Sequence, residues 1–423
     1  MHKERLDSWK SIADYLRRST RTVQRWHTNH GLPVRHFRGP KGAAFAYPEE
    51  IDAWLSGFSE KARDGILTWD RAVDAKRRSL ELTAIAEELW AIRSEKNIHS
   101  IAGLYREAID EDSGNAAAFA GLANAMIFVG FHGMVEGSMA YPRSVEALSR
   151  MARIEPDFLK RKCSAAWLDL AWKRKWSRAR AAFDETLRDG PRTSFALSGR
   201  SLLHVAEGNL SEAWECAWEA WNLNTLARPL SALLCWIPYL AGEFDKCLQR
   251  VSDVRISGGY GPTHAAIEAL ALIQAGTVGP HMERLEGLDF DYPNDRTLKG
   301  ALGYHYGNSG QKERAFETLE SLERTRDRDK ASSAYAVALV LLGLEKPQEA
   351  IHALEASYAS GSQWSLGFRL DPMLKPLRGE QLFQDFLRKA GPHAGRDSRG
   401  LPRVVKRNTF GAQGEGAIDV RRP

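Results

Sequence analysis

Apolar positions in the first part of the chain follow a helical period, give way to an extended pattern, and then return to a helical one. Trp9, Ile12, Ala13 and Leu16 fall at i, i+3, i+4 and i+7, which predicts a short amphipathic helix capped by Asp7 or Ser8. Arg17-Arg18 makes a polar break, and Ser19 is a good N-cap for a second helix, Thr20 to Thr28. Its inward residues are Val23 and Trp26, which leaves Thr20, Arg21, Thr22, Gln24 and Arg25 on the open side. From Val34 to Tyr47 the pattern becomes two short extended runs around a Gly39-Pro40-Lys41-Gly42 turn. Pro48 then opens a third helix that returns Ile51, Trp54 and Leu55 to the core.

Residues 61–95 form a charged, helix-favouring stretch expected to act as a linker helix. Beyond it a small residue recurs at Ala179, Ala213, Cys247, His281, Ala315 and Ala350, in steps of 34, 34, 34, 34 and 35. Four positions further on stand Phe183, Ala217, Val251, Leu285, Leu319 and Leu354, and turn residues such as Glu207-Gly208-Asn209 and Asn308-Ser309-Gly310 precede them. This spacing predicts stacked helical hairpins over residues 96–390, with degenerate copies at Tyr105 to Asp110 and Asn115 to Ala123. A Gly-rich insertion near Val129 to Tyr141 breaks their register, and Leu370 to Leu387 is expected to cap the far end. Residues 391–423 have few large apolar side chains and no periodicity, and we expect a disordered basic tail. The fold class expected is therefore mainly α: a small three-helix unit with a β-wing, joined to an α-solenoid.

Composition adds one point. The formal charge of the 423 residues is +5, yet residues 1–48 hold ten Lys or Arg against three acids. A charge of +7 thus sits at one end, the remainder sums to −2, and affinity for a polyanion is expected to be local. Cys163, Cys216, Cys235 and Cys247 stand far apart without a C-x-x-C pair, as expected of free thiols in a reducing compartment. The start runs straight into a polar helix, and the most apolar stretch, Pro229 to Ala241, is too short to span a bilayer. A cytoplasmic protein with no membrane partner is expected.

Leu6-Asp7-Ser8-Trp9-Lys10-Ser11-Ile12-Ala13-Asp14-Tyr15-Leu16, Arg21-Thr22-Val23-Gln24-Arg25-Trp26 and Gly31-Leu32-Pro33-Val34 resemble the MerR/excisionase type of winged helix-turn-helix over roughly residues 1–60. His27 departs from the acid usual after the Trp. The downstream spacing resembles a tetratricopeptide array, most clearly at Leu302-Gly303-x2-Tyr306 with Ala315-x3-Leu319, and at Ala179-x3-Phe183 with Pro191. Together they resemble bacterial regulators that join these two parts. The resemblance implies a second helix that reads the major groove of double-stranded DNA and a wing that touches flanking phosphates. The expected DNA-binding residues are Ser19, Thr20, Arg21, Thr22, Gln24 and Arg25 on the helix, and Arg35, His36, Arg38 and Lys41 on the wing. A protein or peptide partner, or a small signal molecule, is expected on the concave face of the array, and dimerisation of the chain to a homodimer is expected. An interaction scaffold tethered to DNA by an excisionase-like architectural domain is the alternative.

Candidate chemistry changes little. The histidines show no H-x-x-x-H spacing, and neither a G-x-x-x-x-G-K-[ST] loop nor a G-x-S-x-G context occurs. Neither an enzyme, a cofactor nor a metal site is therefore expected. The stripes Trp214, Trp218, Trp221 and Trp167, Trp172, Trp176 are expected to pack in cores, and Lys173-Arg174-Lys175 to form a solvated turn.

Overall fold

The computed structural model describes residues 5–37, 43–56, 60–94, 96–156, 159–293, 295–326 and 333–392, with the backbone alone over 60–71, 159–161 and 325–326. Two compact units divide it: one reaches Glu81 and includes Asp110–Ser113, and the other comprises Leu82–Ile109 and the chain from Gly114.

In the first unit α1 (Trp9–Leu16) begins at Ser8, whose hydroxyl accepts from Ser11 N–H, and ends at Arg17 in the left-handed region. After a three-residue connection α2 (Thr20–His30) begins at Ser19 and is closed by Gly31 at φ +68°. Strands β1 (Arg35–His36) and β2 (Ala44–Phe45) pair antiparallel, with Arg35 opposite Phe45 and His36 opposite Ala44. Leu6 adds a bridge to Ala46, and α3 (Pro48–Ser56) follows. Ile12, Ala13, Val23, Trp26, Leu32, Val34, Ala46 and Ile51 make the core; of the inward positions read from periodicity, Trp9, Leu16, Trp54 and Leu55 are only half-buried against it. Where a wing is expected, the described residues show a two-stranded sheet and no more; the Gly39-Pro40-Lys41-Gly42 turn lies outside them.

From α4 (Glu60–Ala91) onward every long element is a helix. α5 (Ile98–Glu111) is followed by α6 (Ala116–Phe131), which packs on α7 (Gly137–Ile154). Next come the hairpins α8 (Leu159–Ala171) with α9 (Trp176–Asp189), and α10 (Ser194–Glu207) with α11 (Leu210–Leu223). α12 (Arg228–Leu240) pairs with α13 (Phe244–Ile256), and α14 (Pro262–Gln274) with α15 (Met282–Asp291). The last two pairs are α16 (Arg296–Asn308) with α17 (Lys312–Arg326), and α18 (Ala334–Gly343) with α19 (Pro347–Ala359). First helices stack on first helices, as α12 does on α14, α14 on α16 and α16 on α18. A short helix, α20 (Gln381–Ala390), packs on α19. Among the described residues no helix is long and apolar enough to cross a membrane.

The turn inside each hairpin explains the 34-residue period. Arg174, Gly208, Gly242, Gly276, Gly310 and Glu345 all have positive φ, between 51° and 84°, and they recur in steps of 34, 34, 34, 34 and 35. The next residue returns its N–H to a carbonyl in the last turn of the first helix: Asn209 to His204, Glu243 to Pro238, Thr277 to Leu272, Gln311 to Tyr306 and Lys346 to Leu341. This left-handed cap closes the helix and aims the chain into its partner. Ala179, Ala213, Cys247, Ala315 and Ala350 are then fully buried where the second helix crosses the first. His281 is the exception, because Gly279 and Pro280 open a short 3-10 turn and α15 starts only at Met282; Leu285 keeps the register and is fully buried. The expected insertion near Val129 is a five-residue connection, 132–136, between α6 and a longer α7.

The inner row of first helices is not an open groove. After α19 the chain turns back through short 3-10 helices at Gln363–Leu366 and Pro372–Gly379, which touch α10, α14 and α19. Trp364 meets Trp236 of α12 edge-on at 5.6 Å and stacks on Tyr335 of α18 at 5.5 Å. Tyr239 and Tyr335 both donate to the buried Asp371 carboxylate, at 2.6 and 2.5 Å. A short segment that reaches helices of four hairpins must lie inside their curve. The terminal cap expected from the sequence is therefore also an inner lining.

One expectation is corrected. Arg174, expected in a solvated turn, is half-buried and donates to Ser365 Oγ at 2.6 Å and to the Tyr358 carbonyl at 3.4 Å. Trp172 beside it donates to the Ser360 carbonyl at 3.0 Å. Together they tie the first of the regular turns to the end of the last hairpin.

Around Gly208, Gly242, Gly276 and Gly310 an added Cβ meets nothing within 4 Å, so a substitution there is resisted by backbone conformation alone. Gly242→Ala is expected to cost about 1–2 kcal/mol, and Glu345→Gly to gain roughly 0.5–1 kcal/mol once the entropy of the new glycine is counted. Urea unfolding followed by circular dichroism checks both, and equal midpoints for wild type and Gly242→Ala would contradict the turn argument.

Candidate functional site

The residues expected to read DNA from α2 are placed at different depths. Arg21 and Gln24 are exposed one turn apart near the start of α2, Thr20 is half-exposed and Arg25 half-buried. Ser19 is engaged as the cap, accepting from Thr22 N–H at 3.1 Å. Thr22 departs from expectation, since it is only 2% exposed. Its hydroxyl lies 2.8 Å from Ser19 Oγ and donates to Asp74 of α4 at 3.4 Å, so it stabilises the helix start instead of facing outward. On the sheet Arg35 is exposed but paired with Glu50 at 2.8 Å, its guanidinium 5.4 Å from the Tyr47 ring. His36 is exposed and shares a ring cluster with Trp9 and His27, at 5.8 Å from each. Arg38 and Lys41 lie outside the described residues. Among the tryptophans, Trp26 is buried and Trp54 donates to the His30 carbonyl at 2.9 Å, which gives both a packing role.

The second unit holds a cavity that the sequence did not announce. Its walls come from the first helices α6, α8, α10, α12 and α14, closed by Arg93 at one side and by Gln363 and Trp364 of the inner lining at another. The space between these walls, counted together with the solvent at its open mouth, is about 850 Å³, and only part of it is enclosed. Trp167 stacks on Phe195 at 5.0 Å and meets Phe131 edge-on at 5.5 Å; its indole N–H donates to the Phe195 carbonyl at 3.1 Å, which fixes the ring. Trp236 and Trp364 complete an aromatic wall.

The polar groups are few and one-sided. Arg93 is 3% exposed, with its guanidinium 4.6 Å from the Trp90 ring and 5.8 Å from Phe128. Nη1 donates to the Trp90 carbonyl at 3.2 Å, whereas Nε is buried without a hydrogen-bond partner. Burial pulls its pKa down to about 10, so it stays charged at neutral pH. His132 is pushed down to about 3 by burial and then by Arg93, and buried His264 to about 4 by burial and then by Arg228. Both are neutral at pH 7, and His264 Nε2 shares a hydrogen bond with Ser231 Oγ at 3.0 Å. None of the lining residues is an Asp or Glu.

No family model matches the chain, and no curated protein does. Among solved structures it is similar to a human IFIT1 dimer with m7Gppp-AAAA, at 14% identity over 73% of this chain and 80% of that one, with a TM-score of 0.46. YrrB, described as a TPR protein with an unusual peptide-binding site, is 14% identical over 46% of this chain and 95% of its own, at 0.31. PilF of Pseudomonas aeruginosa is 14% identical over 54% and 96%, at 0.36. The hairpin geometry described above defines the fold without them.

A signal for the cavity was present in the repeat register. Ser198 and Ala232, Leu202 and Trp236, Leu230 and His264, and Leu233 and Ile267 all line it and all stand 34 residues apart. Equivalent positions on successive first helices face one space. Arg93 and Trp364 carry no such mark, because neither belongs to that register. Among the described residues no group of three or more His, Cys, Asp and Glu is placed to hold a metal ion.

The two histidines give a pH dependence whose sign is fixed. Both are depressed in the folded chain and titrate near 6.5 once unfolded, so between about pH 6.5 and 4 the unfolded state binds more protons. Stability is complete above that window and is lost as pH falls through it, by up to ~1.4 kcal/mol per pH unit for each His. Melting temperature is expected to fall from pH 7 to 5, and His264→Gln to flatten the slope; a flat wild-type profile would contradict the assignment.

Proposed function

We propose that the protein is a DNA-binding transcriptional regulator whose α-solenoid is the sensing or protein-interaction part. The observation that carries this is the pairing of exposed Arg21 and Gln24 near the Ser19-capped start of α2. Arg presents a fork to guanine and Gln to adenine in the major groove, and residues near a helix start are those that reach base edges. The segment's charge of +7 supplies the non-specific attraction that such a small unit needs. Arg35 and His36 stand at the sheet, where phosphate contacts would position the unit, with Arg38 and Lys41 assigned the same role from sequence. A unit of this size calls for a dimer on half-sites about 34–36 Å apart.

A scaffold reading draws on the outer surface instead. Trp214 and Trp218 stack at 6.2 Å, Trp221 follows at 5.2 Å, and Arg250 lies over the first two, so α11 presents a half-exposed aromatic ladder.

Selection from a randomised duplex pool, followed by anisotropy titrations of the recovered site, tests the DNA reading. Arg21→Ala and Gln24→Ala are each expected to relax preference at one position, costing about 1–3 kcal/mol there. Lys41→Ala should weaken all sequences alike and lower the salt slope by about one. Thr22→Val, at a buried position, should leave sequence preference intact. If wild type recovers no site, or all variants bind as wild type does, the proposed face is wrong.

A further inference from the structure

We propose that the cavity of the second unit binds a small hydrophobic carboxylate, with its apolar body among Phe131, Trp167, Trp236 and Trp364 and its carboxylate on Arg93. The proposal stands on residues separate from the DNA-reading face and goes beyond it by naming a ligand class. Three features converge. The first is the buried, unanswered cation: among the described residues no carboxylate lies within ion-pair distance of the Arg93 guanidinium, and its Nε lacks a partner. Burying a charge without a counter-ion is expensive, and cores rarely retain one without a compensating group. The Nε edge of a guanidinium is also an edge that takes a carboxylate bidentately.

The second feature is sign. Arg228 adds another cation to the lining, and no acid opposes either arginine there. An anion therefore meets two cations and no acid among the cavity's own lining residues; Asp291 and Asp295, the acids placed beside Arg228, line a neighbouring pocket instead. The third is wall chemistry. Apart from seven polar side chains and Gly261 the wall is aromatic or aliphatic, the usual make-up of a site that buries most of a small organic ligand. A polyphosphate or nucleotide would need more cations than two arginines supply, and it would leave the aromatic wall without an apolar partner. One anionic head on an apolar body of one or two rings satisfies both halves of the site.

The test is calorimetric titration of the full chain with benzoate, 3-phenylpropionate and indole-3-acetate, each beside its primary amide. At least one acid is expected to bind, with its amide roughly tenfold weaker or worse. Arg93→Met should abolish that binding while the melting temperature of the free protein holds or rises, since the variant exchanges an unpaired buried charge for an apolar side chain. Arg93→Lys, which keeps the charge but loses the fork, should weaken binding by about tenfold. Leu233→Trp, which fills the cavity and leaves the charges alone, should abolish binding too. The proposal is overturned if no acid binds the folded wild type up to ~10 mM, if amides bind as well as acids, or if Arg93→Met binds unchanged. Because no DNA is present, failure here leaves the DNA reading standing, and failure of the DNA test leaves this one standing.

Discussion

The Asp371 carboxylate is the interaction on which the helical unit most depends. It is 3% exposed, and burial raises its pKa, yet it receives hydroxyl protons from Tyr239 and Tyr335 and the Met373 N–H. A buried carboxylate is tolerated only when its lone pairs are taken up in this way, and charge-assisted bonds at such distances are the strong kind. The two tyrosines come from α12 and α18, three hairpins apart, so one side chain joins distant parts of the inner row. Without the acid, two buried phenols would lose their acceptor, which costs more than the bonds themselves contribute.

That junction determines what the interior can be. An open array of hairpins offers its inner row to a partner, and its stability is close to a sum of neighbour contacts. Here the segment ending in Asp371 lies on that row, and its Trp364 and Gln363 become wall to the cavity. Arg174 and Trp172 make a second closure at Ser360 and Ser365. Contacts that span nearly two hundred residues replace the purely local ones of a linear solenoid, so the unit should unfold more cooperatively than its repeat pattern suggests.

Much of this was legible in the sequence because one geometric rule recurs. The left-handed turn and the small residue of the second helix each repeat at the same 34-residue interval, and each leaves a trace in residue type, Gly and Ala respectively. The N-terminal core was legible for the same reason, since helical phase separates Val23 and Trp26 from Arg21 and Gln24. Thr22 was misplaced because a cap hydroxyl and an outward polar group look alike in sequence, and Asp74, which settles its orientation, stands fifty-two residues away. Arg174 was misread because a basic triplet at a turn resembles a solvated loop. Only the returning chain at Tyr358 to Ser365 shows otherwise. The first-helix walls of the cavity left their trace in the 34-residue register, whereas its closure did not, because Arg93 and Trp364 bracket the array from opposite ends of the sequence.

Arg93 then poses an energetic question that packing alone does not answer. Contact with Trp90 and Phe128 offsets part of the desolvation of its guanidinium, at about 0.5–2 kcal/mol for such ring contacts, against an effective penalty of several kcal/mol for a buried ion. A methionine of similar reach would fill the same space at no electrostatic cost. The neighbouring His132 and His264 add to the imbalance, since both remain neutral and neither supplies a counter-charge. In a protein whose net stability is a small difference between large terms, such a residue, with no counter-charge among the described residues that line the cavity, is accounted for by the proposed anion. An anion that binds only the closed cavity would also stabilise the closure made by Trp364 and Asp371, by an amount set by its concentration relative to its affinity. Ligand occupancy and the seating of the inner lining would then be one equilibrium, and a signal would be read as the stability of the lining itself.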